Sequence, residues 1–223
     1  MAYSRWSSKT IHYKKFFVDK KLRLTNLEFL KDLEGKNYEE LDRVFKRTID
    51  DTNFKNIVGI SSKRMLDREL ALRFIAFRLT NYKDFTTHHM GSFLDESMEK
   101  LDLIEDKEEL ENIKKNLIEA LVFSEIILGK NHRFSRAIAN DKLTKTLNRS
   151  LFDVLLVCFS EIKDKKRFIN KKDIFLEQLK SLLLDEKGIF VKAITEGTSG
   201  KTAIENRFRI MNDLINRVLN EKD

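Results

Sequence analysis

Apolar positions recur at helical spacing through most of the chain after residue 25, and this pattern predicts a succession of helices. Asn26 is placed to cap a short helix that ends at Gly35. Asn37 is placed to cap the next, with Tyr38, Leu41, Phe45 and Ile49 on one face. Residues 51–62 read as a loop. Ser61 or Ser62 then opens a helix to about Leu79, with an apolar stripe at Leu66, Leu70, Phe74 and Phe77. Residues 80–91 form a polar loop, and Ser92 to Leu101 a short helix. Asp106 with Glu109 suggests a capping box for a long helix ending at Gly129, its stripe formed by Leu110, Ile113, Leu117, Leu121 and Leu128.

Asn148 caps a segment, Leu151 to Ile162, that is apolar nearly all round and therefore predicted to be central. Asn170 with Asp173 opens a helix carrying Ile174, Leu176, Leu179 and Leu183. Asp185 to Ile194 is a short helical stretch. Thr198 or Ser199 starts the last helix, with Ile204, Phe208, Met211, Ile215 and Val218 inward. Only residues 18–25 and 56–60 read as strand fragments. The fold class is all-α, an orthogonal or bundle-like domain of about seven to nine helices over residues 26–223, behind an arm at residues 1–25.

Composition agrees. The 223 residues include no proline and only 7 glycines, too few for an all-β sandwich or a Gly-rich nucleotide loop. With 41% hydrophobic and 35% charged residues, the chain is globular rather than disordered. The single cysteine, Cys158, excludes a disulfide framework and a Cys-rich zinc site, and its apolar surroundings predict a buried thiol. No apolar run reaches a membrane-spanning length, and the basic N-terminus lacks the apolar stretch of a signal peptide. The expected setting is a reducing cytoplasm, with no membrane partner.

Charge changes the picture more. Residues 1–25 carry Arg5, Lys9, Lys14, Lys15, Lys20, Lys21 and Arg23 against Asp19, with Trp6, His12, Tyr13, Phe16 and Phe17 interleaved. Such an arm could hold phosphates and stack on bases, and these seven cations are the candidate nucleic-acid contacts. The alternative is a solvated, lysine-rich terminus. Residues 85–129 are acidic, and the run Glu105 to Glu111 reads as a solvated face.

Chemistry-bearing motifs are sparse. Glu196-Gly197-Thr198-Ser199-Gly200-Lys201-Thr202 is like the end of a phosphate-binding loop, but Thr195 stands where that motif needs glycine, so a helix N-terminus is expected. His88-His89 lacks the spacing of metal ligands, and no nucleophile–base constellation is present; no metal, cofactor or catalytic residue is assigned. The segment Lys63 to Phe77 is dense in charge yet rich in large apolar residues. Arg64 and Arg68, and Glu69 and Arg73, lie at i,i+4. Arg73 stands between Leu72 and Phe74, so it needs a carboxylate partner: Asp67, Glu69 or Asp153.

This segment carries a resemblance. Arg64, Met65, Asp67, Glu69, Leu70, Leu72, Arg73, Phe74, Ala76 and Phe77 match R-M-x-D-x-E-L-x-L-R-F-x-A-F. That stretch resembles the DGQQR-motif family, which includes the nucleotide-hydrolysing half of the GmrSD type IV restriction enzymes. Phe93-Leu94 through Met98 is similar to the family's F-L-x-x-x-M. Asn148, Leu151 and Phe152 are similar to its N-x-x-L-F-[ED], and Thr198 with Arg207-Phe208 to its late T-…-R-F. Leu27 to Leu41 is similar to the segment after the family's catalytic region. Together these matches cover most of residues 22–218, in the family's order.

The departures shape the expectation. Asp19-Lys20-Lys21-Leu22-Arg23 has neither the glycine nor the glutamines of D-G-Q-Q-R, the R-x-N-T-G-G…Q-E-x-R stretch is missing between Ile49 and Phe54, and no His-nuclease domain follows. The resemblance therefore implies the helical body of a defence or restriction protein without its ParB-like catalytic head. Arg64, Asp67, Glu69, Arg73, Asn148 and Arg207 would be its structural motif residues. The expected partners are DNA or a separately encoded ParB-like D-G-Q-Q-R protein, with no cofactor. A subunit of a split nucleotide-dependent nuclease, a protein–protein scaffold and an inactive fragment remain the alternatives.

Overall fold

The computed structural model of the chain describes residues 66–86, 89–129, 132 and 134–221. The arm at residues 1–25, the helices predicted after Asn26 and Asn37, the loop 51–62, both strand fragments and Arg64 lie outside the described residues. Eight α-helices run through the described residues, with no strand among them: α1 (Leu66–Leu79), α2 (Met90–Asp102), α3 (Lys107–Leu128), α4 (Arg149–Glu161), α5 (Lys165–Asn170), α6 (Lys172–Leu184), α7 (Ile189–Thr195) and α8 (Lys201–Asn220). Short 3-10 turns occupy Tyr82–Asp84 and Arg136–Ile138.

Side chains set the helix starts. Asp106 Oδ1 accepts from the Glu108 amide at 2.8 Å ahead of α3, one position earlier than the capping box anticipates. Asn148 Oδ1 accepts from the Leu151 amide at 2.8 Å ahead of α4, and Asp164 Oδ1 from the Arg167 amide at 2.9 Å ahead of α5. Gly129 ends α3 with φ 81°, a conformation that residues with a Cβ avoid.

Helix α4 is the axis of the domain. Its ten consecutive residues Ser150 to Phe159 are all buried, which is why the segment carries no amphipathic alternation. It packs against α1, α3, α7 and α8. Aromatic rings knit these layers together. Phe123, Phe159, Phe168 and Phe175 join α3, α4, α5 and α6, with centroids 5.0–6.1 Å apart. Phe77, Phe93 and Phe208 tie α1 to α2 and α8 at 4.9 Å, and Tyr82 stacks on Phe208 at 4.8 Å. Such offset and tilted pairs exploit the ring quadrupole as well as burying area.

Three sequence expectations require correction. Helix α2 begins at Met90 rather than Ser92, because the loop after α1 is shortened by the 3-10 turn at Tyr82–Asp84. The helix expected to open at Asn170 begins at Lys172 as α6, and a short helix not anticipated in the sequence, α5, precedes it and ends at Asn170, with Lys171 as the junction. Phe168 and Phe175, tilted against each other with centroids 5.0 Å apart, hold the two helices against one core. Helix α8 starts at Lys201 behind Gly200, with no side-chain cap from Thr198 or Ser199. The Thr198 carbonyl is engaged elsewhere, by Arg207.

Candidate functional site

Two of the residues singled out in the sequence, Arg73 and Arg207, meet at Asp153 in the core. Arg73 on α1 points at Asp153 on α4. Its Nε donates to Oδ1 at 2.9 Å and its Nη2 to Oδ2 at 2.5 Å, the two-pronged geometry that suits guanidinium and carboxylate. Arg207 on α8 approaches the same carboxylate, Nη2 to Oδ2 at 3.6 Å, and its Nη1 donates to the Thr198 carbonyl at 2.6 Å. Arg73 is 6% exposed, and Asp153 and Arg207 are 0% exposed. Of the carboxylates considered for Arg73, Asp153 is thus the principal partner. Glu69, one helical turn away, stands at 3.6 Å from Arg73 and links outward to Arg149 at 3.3 Å.

Asn148 completes the node. While its Oδ1 caps α4, its Nδ2 donates to the Ile194 carbonyl at 2.8 Å, tying the start of α4 to α7. Glu69, Arg73, Asn148 and Arg207 therefore lie on the contacts that bind α1, α4, α7 and α8 together. Arg64 lies outside the described residues, and nothing is described of the Asp67 side chain. The seven cations of the arm, Arg5, Lys9, Lys14, Lys15, Lys20, Lys21 and Arg23, lie outside them as well.

Electrostatics mark the node as tense. Burial lowers the Arg207 guanidinium to about 10; Asp153 opposes that drop and Arg73 adds to it. Arg207 remains a cation at neutral pH, yet its Nε and Nη2 have no hydrogen-bond partner. Its place on the apolar stripe of α8, between Ile204 and Met211, is the signal in the sequence that points to its burial. Sequence alone offers Asp153 as one option for Arg73, and nothing in it says that a second arginine shares that carboxylate.

The node is too enclosed to meet a substrate, so its chemistry is structural. Other candidates carry no reactive arrangement. Cys158 is buried, and that burial pushes its thiol up, with Glu161 adding to the rise. Buried His132 makes its Nδ1 contact with the Gly129 carbonyl at 2.7 Å, and burial lowers it towards the neutral form. His89 is exposed ahead of α2 and caps nothing with its side chain, while His88 lies outside the described residues. The stretch Glu196 to Lys201 follows helix α7, not the strand a phosphate loop requires. No group of three or more His, Cys, Asp or Glu side chains among the described residues could hold a metal ion.

Among the described residues a groove of about 870 Å³ opens between α6 and α8, lined by Gln178, Ile210, Asp213, Asn216, Arg217, Asn220 and Glu221. Its lining mixes carboxamides and charged groups with Ile210 and the apolar stems of the longer side chains. Among the described residues no helix is long and apolar enough to cross a membrane. In comparisons with known proteins, the chain matches no protein-family model, no curated protein and no solved structure.

Proposed function

We propose that the chain is a non-catalytic helical module of the DGQQR-motif, GmrSD-like kind, working in the cytoplasm and associating with DNA. The observation that carries this reading is the convergence of Arg73 and Arg207 on buried Asp153, with the Thr198 carbonyl bonded to Arg207 and Asn148 tying α4 to α7. These residues come from three separate stretches of the resemblance, and the burial of the two arginines gives them a scaffold role. The net charge of +7 supports a polyanionic partner. The arm at residues 1–25 is the first candidate for phosphate contact on sequence grounds. A second reading, a separately encoded D-G-Q-Q-R protein as catalytic partner, is favoured by the missing head motif at Asp19 to Arg23.

The test is fluorescence anisotropy of labelled duplex and single-stranded DNA with the full chain across a salt series, alongside assays for GTP hydrolysis and plasmid cleavage. The expected result is binding that weakens steeply with salt and no turnover in either assay. No binding at low salt removes DNA as the partner. Metal-dependent turnover abolished by a single substitution in the chain removes the non-catalytic reading.

A further inference from the structure

We infer that residues 163–172, on and around α5, form a phosphate-backbone contact for nucleic acid on the helical domain itself, separate from the N-terminal arm. The inference rests on the DNA reading above and gives it a location. Lys163, Lys165, Lys166, Arg167, Lys171 and Lys172 stand against two acids, Asp164 and the adjoining Asp173. Asp164 is engaged in capping α5. Lys171 is buried and donates from Nζ to the Glu221 carbonyl at the end of α8. Lys165 has a marginal pairing with Glu119 at 3.9 Å. Among the described residues, Lys163, Lys166, Arg167 and Lys172 have no ion-pair partner.

Folding does not account for this cluster. Lys165 and Lys166 occupy the first positions of α5 and Lys172 the first position of α6, the helix ends where positive charge is unfavourable. The cations also repel one another. What fixes them is apolar: Phe168 is fully buried against Phe123, Phe159 and Phe175, so α5 is held with Lys166 and Arg167 exposed to solvent. A rigid mount for unpaired cations is what a phosphate backbone needs, since few side-chain contacts must then be ordered on binding.

The neighbourhood favours nucleic acid over a lipid surface. The bond from Lys171 to Glu221 sets the α5–α6 junction beside the end of α8, where the groove opens that Gln178, Asn216, Arg217 and Asn220 line together with Ile210 and the carboxylates Asp213 and Glu221. Carboxamides there can meet sugar hydroxyls and base edges. A membrane-surface site pairs basic residues with exposed apolar ones. The exposed large apolar side chains among the described residues are Leu103, Val122, Ile126, Leu184 and Ile189, none of them in residues 163–172 or lining the groove.

The experiment compares the full chain with two fourfold variants of equal net charge. One carries Lys163→Gln, Lys166→Gln, Arg167→Gln and Lys172→Gln; the control carries Lys142→Gln, Lys145→Gln, Lys187→Gln and Lys192→Gln, all at exposed positions. Anisotropy of a labelled duplex is read across a salt series, with circular dichroism melts to show that each variant is folded. The expected result is a log–log salt slope shallower by about 3 to 4 for the first variant, close to 0.9 for each phosphate left without its cation, and an affinity at least tenfold weaker than the control's. Equal slope and affinity for the two variants overturns this location while leaving DNA binding by the chain intact. Absence of duplex binding by the unaltered chain fails the DNA reading itself. Sedimentation of the unaltered chain with phosphatidylserine vesicles but not with duplex would assign the patch to lipid and equally overturn it.

Discussion

Arg73 and Asp153 lie 80 positions apart in the chain and meet as a buried two-bond pair, at 2.9 and 2.5 Å. Burying two charges is costly, and the pair is worth keeping only as a unit. Removing Asp153 should be the most damaging single change at the node, because it strands Arg73 and Arg207 beside each other without their shared anion. Asp153→Ala is expected to lower unfolding free energy by about 3–5 kcal/mol, and the apolar replacement of the whole unit, Arg73→Met/Asp153→Leu/Arg207→Met, to recover much of that loss. Urea titrations followed by circular dichroism measure both, and a wild-type midpoint for Asp153→Ala would contradict the burial of the pair.

Asn148 does two jobs with one side chain. Its oxygen caps α4 and its amide nitrogen holds the Ile194 carbonyl. Loss of a cap alone typically costs about 1 kcal/mol, and an orphaned buried carbonyl adds a comparable amount. Asn148→Ala should therefore destabilise by roughly 2 kcal/mol, and Asn148→Asp, which keeps the cap and loses the donor, by about half as much. The same denaturation series ranks the two: equal losses would show that the cap contributes nothing, and no loss for Asn148→Asp that the bond to α7 contributes nothing.

How much of this is legible in the sequence follows from what each signal depends on. Helices α3 and α4 are legible because their caps, Asp106, Gly129 and Asn148, are local and their apolar faces are long. Arg73 is legible as a paired residue because Leu72 and Phe74 flank it, and the chemistry of a buried guanidinium demands a carboxylate. The break at Lys171 is not legible, because it is set by Phe168 and Phe175 meeting one aromatic cluster, a tertiary fact. The start of α8 is misplaced for a related reason: Thr198 looks like a cap, but its backbone carbonyl serves Arg207 from nine positions further on. The cations of α5 are visible as letters, yet only the structure shows Lys166 and Arg167 held outward and unpaired.

Acid–base behaviour should report on α2. Burial, then Glu99 and Glu96, raises the Asp95 carboxyl from 3.8 to about 6. The folded state therefore binds a proton more tightly than the unfolded chain does, and this site makes stability fall as pH rises from about 4 to 6. Asp95→Asn removes the penalty. It should raise the melting temperature at pH 7 to 8, with the gain shrinking as pH is lowered through 6 and vanishing near 4. Melts across that range check the sign, and a gain that grows on acidification would refute it.

Arg207 should behave differently from Arg73, although both address Asp153. Arg73 supplies both carboxylate hydrogen bonds, so replacing it leaves Asp153 facing a guanidinium nitrogen at 3.6 Å that makes no hydrogen bond to it. Arg207 supplies one good bond, to the Thr198 carbonyl, and brings a second buried positive charge with two unpartnered nitrogens. Replacing Arg207 leaves the Arg73–Asp153 pair intact and electrically balanced. Apolar replacement of a poorly satisfied buried ion is often neutral or favourable, and methionine fills much of the vacated space. The lost bond to Thr198 offsets part of the gain, since it anchors the turn before α8. The net effect of Arg207→Met is expected within about 1 kcal/mol of zero, against a loss of roughly 3 kcal/mol or more for Arg73→Met. Asp153→Ala should then rank worst, Arg73→Met next and Arg207→Met last in denaturant midpoint. Equal losses for the two arginine variants would mean that Asp153 depends on both guanidinia, and that the 3.6 Å approach of Arg207 is a working ion pair rather than a tolerated neighbour.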